Sequence, residues 1–265
     1  MLRKVMMVLV LAVLSVSLVG AQAVGQTFVL VHGAFQDASG WAGVTAALEA
    51  EGHTVIVVTL AGRGTDETPL SEISLDLYRD TVIAAIEAQS EPVVLVGHSF
   101  GGITISAVAE AIPSQITTLV YLAAYLPQDG ESLVSIAAND RYSLLGQEGN
   151  FIIAADFSTG AVNAEVFPTA FCPDCTPEQL EVVAASQLTE PLAPQNTPVL
   201  LTPENFGSVR KAYLLTAQDL IVSPQLQALM LSYTPVERVL ALNAGHAAYI
   251  SAPEAVAAAL VAATQ

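Results

Sequence analysis

The sequence predicts an α/β fold in a single domain. The most informative feature is Gly97-His98-Ser99-Phe100-Gly101, which follows the apolar run 92–96 and precedes the small-residue segment 102–111. A strand, a sharp turn and a helix are the setting in which a G-x-S-x-G motif presents a nucleophilic serine. Residues 24–265, which follow a hydrophobic leader, are numerous enough for one α/β domain with a substantial core.

Six short apolar runs are predicted to be strands. In chain order they are residues 27–31, 54–58, 92–96, 117–122, 211–215 and 236–242. Most of them end in a loop that contains polar residues or glycine. A helix is predicted over 102–111, and another begins at Pro224, because the missing N–H of a proline costs nothing in the first helical turn.

Ser99 is the candidate nucleophile of this chain. A serine that attacks a carbonyl must stand clear of the sheet, on a turn so tight that its backbone is strained. Gly97 and Gly101 give the neighbouring chain room to pass close to that turn. The helix that begins here also directs backbone N–H groups and the positive end of its dipole toward a nearby oxyanion.

His246 is the candidate general base, since the histidine is expected after the serine and the acid in chain order. The chain contains four histidines. His98 is the variable residue of the motif, His53 opens an apolar strand, and His32 lies in a tight turn, where a structural hydrogen bond is expected. His246 instead lies on a loop directly after the run 236–242.

Asp219 is the candidate acid. It lies in the loop 216–219 at the carboxyl end of the predicted strand 211–215. Asp129, in the loop after the strand 117–122, is the alternative, because some serine hydrolases take the acid from that earlier strand. The position of Asp219 after the penultimate strand favours it over Asp129.

Two backbone N–H groups are predicted to stabilise a developing oxyanion. One belongs to Phe100, the residue after the nucleophile. The other is assigned to Ala34, in the loop that follows the early strand 27–31. Each donor of this kind lowers the activation barrier by roughly 3 kcal/mol.

These motifs resemble the α/β-hydrolase superfamily, and within it the small-esterase branch that includes plant methyl esterases, bacterial carboxylesterases and plant hydroxynitrile lyases. The resemblance runs from about Thr27 to the C-terminus and rests on residues 28–34, Trp41, Gly52-His53, 97–102, Asp219 and His246. It implies an eight-stranded, mostly parallel sheet flanked by helices, with a helical cap inserted after the sixth strand. The family's catalytic triad falls on Ser99, Asp219 and His246, and its oxyanion donors fall on Ala34 and Phe100.

Two positions favour ester hydrolysis over the lyase reaction. The lyases carry a threonine at the position of Gly33 and a lysine directly after the catalytic histidine, where this chain has Ala247. The predicted function is therefore that of a serine carboxylesterase that hydrolyses small to medium esters through an acyl-enzyme. A lactonase or a hydroxynitrile-lyase-type enzyme on the same scaffold and a non-catalytic ligand-binding module are the alternatives.

The cap is expected at roughly residues 126–203, and it should roof a mostly apolar pocket over the serine. Phe35, Phe100, Tyr125 and Leu126 are predicted to line the floor of this substrate pocket, because each follows a strand end near the nucleophile.

The only two cysteines, Cys172 and Cys175, fall within the predicted cap. A local disulfide is expected in an oxidising compartment, with two inert thiols as the alternative. Because the pair lies in the inserted segment, its reduction is expected to affect bulky-substrate preference rather than the turnover of small esters.

Residues 1–23 have the pattern of a secretory signal peptide. Residues 1–4 are basic, 5–19 are nearly all apolar, and 20–23 offer an A-x-A cleavage site. The apolar stretch is shorter than the about 20 residues of a membrane-spanning helix. Residues 24–265 are therefore predicted to be the mature hydrolase domain, secreted or periplasmic and without stable membrane insertion. An uncleaved anchor is the alternative.

The chain is strongly acidic, with 25 Asp and Glu residues against 8 Lys and Arg. So acidic a surface disfavours nucleic acid and anionic membranes as partners. The sequence contains no metal-ligand cluster and no phosphate-binding glycine loop. We therefore expect a small-molecule ester as the partner and neither a metal nor an organic cofactor, while the oligomeric state stays open.

Overall fold

The computed structural model describes residues 25–265. Its strands are β1 (Thr27–Val31), β2 (Thr54–Val58), β3 (Val93–His98), β4 (Ile116–Leu122), β5 (Phe151–Ile153), β6 (Thr159–Val162), β7 (Glu190–Pro191), β8 (Lys211–Thr216) and β9 (Arg238–Leu242). Its α-helices are α1 (Ala42–Ala50), α2 (Leu75–Glu87), α3 (Gly101–Ala111), α4 (Leu133–Ala137), α5 (Phe167–Phe171), α6 (Pro177–Ala185), α7 (Leu192–Asn196), α8 (Pro224–Tyr233), α9 (Ala248–Ser251) and α10 (Pro253–Ala263).

The core of the molecule is a six-stranded parallel sheet in the order β2-β1-β3-β4-β8-β9. Its strands are the six apolar runs of the sequence, with ends that differ by two residues or fewer. The central strands β1, β3 and β4 are almost completely buried, which is why they read as continuous apolar runs rather than alternating ones. Packed helices cover the sheet, with α1 against α10 and α2 against α3.

The expected eight strands are corrected to six within the described residues. The central sheet that residues 25–265 form has six strands, and Gly25 and Gln26 are the only described residues before β1. β2, which pairs only with β1, therefore forms one edge of the sheet. The cap consequently follows the fourth strand of this sheet, β4, and not the sixth.

The cap is a mixed structure, which corrects the expectation that it is helical. Between β4 and β8 the chain forms the short helices α4 to α7 and a three-stranded antiparallel sheet, β5-β6-β7. Proline is tolerated in the first turn of a helix, but further along it removes a backbone hydrogen bond of the helix. Both α5 and α6 carry proline in their first turn, and none of the four exceeds nine residues. The predicted range 126–203 falls inside this insertion.

No helix within residues 25–265 combines the length and the apolar character needed to cross a membrane. The predicted signal peptide, residues 1–23, lies outside the described part of the chain.

Candidate active site

Ser99 occupies the sharp turn between β3 and α3, with a backbone φ of 55° that few residues other than glycine adopt. The turn is held on both sides, since the Ser99 N–H donates to Leu122 O at 3.3 Å and Ser99 O accepts from the Tyr125 N–H at 3.1 Å. A Cβ at Gly97 would lie 2.6 Å from the carbonyl oxygen of Gly101. Glycine is therefore required where the strand and the helix pass each other.

His246 and Asp219 form a fully buried pair. Asp219 Oδ2 accepts from His246 Nδ1 at 2.8 Å and from Thr216 Oγ1 at 2.9 Å. Its other oxygen, Oδ1, accepts from the backbone N–H groups of Ile221 and Val222 at 2.8 and 2.9 Å. These four bonds fix the carboxylate, and they place the imidazole proton on Nδ1, which leaves a lone pair on Nε2.

The imidazole of His246 is held from two further sides. Its ring centroid lies 4.6 Å from that of His98 and 5.2 Å from that of Phe171. His98 Nε2 donates to the backbone carbonyl of His246 at 3.0 Å, and burial keeps the pKa of His98 well below its ordinary value, so that ring is neutral. Within the described chain His246 Nε2 has no hydrogen-bond partner, so its lone pair is not engaged by any other residue of that range.

The structure brings Asp219 to His246, and it places Asp129 elsewhere. Asp129 is exposed, and its Oδ1 accepts from the backbone N–H of Leu201 at 2.8 Å. This hydrogen bond therefore holds the segment around Leu201, where the cap ends.

The two predicted oxyanion donors are both available. Neither the Ala34 N–H nor the Phe100 N–H donates a hydrogen bond to any other residue in the range 25–265. The loop that carries Ala34 lies against the nucleophile, since a Cβ at Gly33 would lie 2.6 Å from Ser99 Cβ. A threonine at Gly33, as in the lyases, would therefore require this loop to shift.

His32 has the structural role that the sequence suggested. Its Nδ1 donates to the carbonyl of Gly33 at 2.8 Å, and its Nε2 accepts from the Leu60 N–H at 3.2 Å. Burial lowers its pKa to about 4, so the ring is neutral at physiological pH. His32 thereby ties the loop after β1 to the loop after β2.

A cavity of about 290 Å³ opens beside Ser99. Phe35 and Tyr125 line it, as predicted from the sequence. Phe100 and Leu126 do not, and those two assignments are wrong. The Phe100 side chain is fully buried in the core. The N–H of Leu126 contacts Met230 Sδ at 3.2 Å, and its side chain packs toward α8.

Most of the cavity wall comes from the cap, which sequence reasoning did not resolve. Phe151, Phe171, Leu133 and the buried polar residues Asp140 and Gln195 all contribute. The sequence places four phenylalanines in the cap, at positions 151, 157, 167 and 171, but without a regular spacing that would indicate which of them face the pocket. In residues 25–265 no cluster of three His, Cys, Asp or Glu residues could hold a metal ion.

A buried ion pair between Arg63 and Glu190 lies next to the site, and no local sequence pattern indicates it. The two atoms Arg63 Nη2 and Glu190 Oε2 are 2.5 Å apart, and both side chains are at most 3% exposed. Glu190 Oε2 also accepts from the Phe35 N–H at 2.8 Å. Burial raises the pKa of the Glu190 carboxyl, while the Arg63 charge and the Phe35 N–H oppose that shift.

Cys172 and Cys175 form a disulfide between α5 and α6. The loop that they close packs directly on the loop of His246. Asp174 Oδ1 accepts from the Gly245 N–H at 2.9 Å, and Phe171 O accepts from the Ala247 N–H at 2.8 Å. The disulfide is therefore in the cap by chain position but next to the loop of His246 in space.

This placement changes the expected effect of reduction. We expect a reductant to lower kcat for small esters as well as bulky ones, because the opened loop would release the contact of Asp174 with Gly245 and loosen the adjoining contact of Phe171 with Ala247. Turnover of p-nitrophenyl acetate, followed while free thiols are counted by alkylation, measures this effect. The Cys172→Ser/Cys175→Ser double variant should show the lower kcat without reductant and should not respond to it. Full small-ester activity in the reduced protein would contradict the prediction.

Comparisons with known proteins agree with this architecture. Residues 28–259 match the alpha/beta hydrolase family. The chain is 29% identical over 243 residues to methylesterase 10 of Arabidopsis thaliana, covering 85% of this chain and 87% of that one. It is 32% identical over 243 residues to a chloroplastic Arabidopsis thaliana relative that carries the name methylesterase 11, covering 86% of this chain but only 61% of the longer relative.

A solved structure shows the same fold. The crystal structure of polyneuridine aldehyde esterase superimposes with a TM-score of 0.82 at 24% identity, covering 91% of this chain and all of that one. Because the family match extends over most of the described residues, from β1 to α10, the chain belongs to the alpha/beta hydrolase family.

Proposed function

We propose that the protein is a serine carboxylesterase with Ser99, His246 and Asp219 as its catalytic triad. One observation carries this proposal: a strained serine lines a cavity, and a buried His246–Asp219 pair, with Nε2 unpaired, packs on His98, the residue before that serine. The methylesterase names of the relatives support the same reaction class. A ligand-binding module would need the cavity but not the fixed tautomer of His246.

The proposed reaction follows the serine hydrolase scheme. His246 Nε2 takes the proton of Ser99 Oγ as that oxygen attacks the ester carbonyl. The oxyanion that forms accepts hydrogen bonds from the N–H groups of Ala34 and Phe100. His246 then gives the proton to the departing alcohol, and a water molecule that the same histidine deprotonates releases the acid from Ser99. Asp219 keeps the imidazole oriented and stabilises its protonated form.

The cavity supports an ester of small to medium size. Its volume of about 290 Å³ is close to the lower limit for ligand pockets, whose volumes run from about 300 to 1,000 Å³. Phe35, Phe151, Phe171 and Leu133 make much of its wall apolar. We therefore propose a substrate in which an apolar acyl or alcohol group adjoins the scissile ester.

Parallel assays of an ester and a cyanohydrin test this function. We expect p-nitrophenyl acetate to be hydrolysed with saturation kinetics, and mandelonitrile to release no cyanide above background. Gly33 and Ala247 stand where the lyases carry their specific threonine and lysine, and Gly33 leaves no space for a side chain. Ester turnover at the rate of buffer alone would contradict the proposal, and Ser99-dependent cyanide release would favour the lyase instead.

We also propose that the protein is exported and that its mature chain begins at Val24. The basic, apolar and A-x-A segments of residues 1–23 support this, as does a disulfide that suits an oxidising compartment. The intact mass of protein recovered outside the cytoplasm tests the cleavage site. A mass that retains residues 1–23 would point to an uncleaved anchor.

A further inference from the structure

A carboxylate of the cap reaches the loop that carries a proposed oxyanion donor. Glu190 lies on β7, where its backbone pairs with Gly160 of β6 in the cap sheet. Its side chain leaves that sheet and accepts from the Phe35 N–H at 2.8 Å, across 155 residues of sequence. Hydrogen bonds to a charged acceptor are roughly twice as strong as neutral ones. The cap therefore holds this loop through a strong and directional contact.

Phe35 is held on both sides by the same cap segment. Its carbonyl accepts from the Leu188 N–H at 2.7 Å, while its N–H donates to Glu190. Its φ of 65° belongs to the left-handed region, which a non-glycine residue adopts only when its surroundings enforce it. The peptide plane that contains the Phe35 N–H shares a Cα with the plane that contains the Ala34 N–H. Fixing the first plane therefore limits the direction in which the Ala34 N–H points.

Arg63 balances the negative charge that the Glu190 carboxylate brings close to the proposed oxyanion hole. An unpaired carboxylate one residue from an oxyanion donor would oppose the negative charge that develops in the transition state. The guanidinium of Arg63 lies 2.5 Å from Glu190 Oε2 and neutralises that charge within the protein interior. The Arg63–Glu190 pair thus supplies a strong acceptor for Phe35 and almost no net charge.

We propose that Glu190 is a positioning residue that sets the direction of the Ala34 N–H through Phe35, with Arg63 as its charge partner. The cap then completes the oxyanion hole in addition to roofing the pocket. This inference rests on the proposed esterase function, because an oxyanion forms only if Ser99 attacks a carbonyl.

Two double variants separate positioning from charge burial. Removing Glu190 or Arg63 alone would leave an uncompensated buried charge, and such a protein could fail to fold. Arg63→Met/Glu190→Gln removes both charges but keeps a carbonyl oxygen that can accept from the Phe35 N–H. Arg63→Met/Glu190→Leu removes both charges and that acceptor. The two proteins differ only in whether residue 190 can hold Phe35.

A trifluoromethyl ketone is the probe of the oxyanion hole. Ser99 Oγ adds to its carbonyl carbon, the serine proton moves to His246, and the carbonyl electron pair becomes an oxyanion between Ala34 and Phe100. A carboxylic acid product serves as the ground-state ligand. We expect the Leu double variant to bind the ketone roughly tenfold or more weakly than the Gln double variant, with kcat for p-nitrophenyl acetate reduced in parallel. Its KM and its affinity for the acid should change little.

Glu110→Gln provides the control for a merely structural role. Glu110 also anchors the end of the cap, since its carboxylate accepts from the backbone N–H groups of Thr202 and Phe206. Within residues 25–265 it makes no hydrogen bond to the loop that carries Ala34 and Phe35. We expect this variant to lower Tm and to leave ketone affinity unchanged. Equal ketone affinity of the two double variants, or equal losses for the ketone and the acid, would overturn the inference. Wild-type protein that forms no ketone adduct at Ser99 would instead overturn the proposed function.

Discussion

Ser99→Ala should abolish ester hydrolysis and leave the fold intact. Removal of the nucleophile lowers kcat by roughly 10⁶-fold in a serine protease, and we expect a loss of this order here. Ser99 Oγ makes no hydrogen bond within residues 25–265, so its removal orphans no buried partner. Alanine should tolerate the φ of 55° about as poorly as serine does, and Tm should therefore change little. Initial rates with p-nitrophenyl acetate and a thermal melt measure the two effects.

A second serine on the following helix provides the control for Ser99→Ala. Ser106 Oγ donates to Gly102 O at 2.7 Å and lies 2.8 Å from the hydroxyl of Tyr121. Ser106→Ala should lower Tm, because it leaves that buried hydroxyl without this partner, and it should retain turnover. An active-site phosphonate should add a single adduct to wild-type protein at Ser99 and none to Ser99→Ala. Substantial turnover by Ser99→Ala would show that another residue is the nucleophile.

Asp219→Asn should reduce kcat by about 10⁴-fold, the loss seen when the equivalent acid is replaced in a serine protease. The carboxylate now accepts from two backbone N–H groups, from Thr216 and from His246. An amide in its place can donate to His246 Nδ1, which would move the imidazole proton to Nε2 and remove the base. Steady-state kinetics with a small ester, at constant protein concentration and after a check of Tm, measures this effect.

Asp129→Asn is the matched control for the acid. Asp129 is exposed, and within residues 25–265 its side chain accepts only from the Leu201 N–H, at 2.8 Å, a bond that an asparagine oxygen can also make. We expect its kcat to remain close to that of the wild type. A larger loss in Asp129→Asn than in Asp219→Asn would assign the acid to the earlier strand.

Most of the predictions that were wrong or missing concern contacts between residues far apart in the sequence. Tyr125 and Leu126 are neighbours in sequence, but only Tyr125 lines the cavity, because the direction of the chain after β4 decides which side chain turns inward. The contact of Glu190 with Phe35 spans 155 residues and has no local pattern. The disulfide loop was placed in the cap correctly, yet its contact with the loop of His246 depends on how the cap folds back. The six-strand count replaced an expectation that came from the family resemblance and not from this chain's own residues.

By itself, the sequence determined the six strands of the central sheet, the position of Ser99 on a turn and the selection of His246 and Asp219. Each of these depends on short-range rules: buried parallel strands read as continuous apolar runs, and a strand–turn–helix motif fits within about fifteen residues. Only the tertiary structure decided which cap residues form the pocket, where the disulfide lies relative to His246, and that the Arg63–Glu190 pair contacts the loop that carries Ala34 and Phe35. Those features depend on packing between segments far apart in the chain, where charge and burial are settled by neighbours that no local pattern identifies.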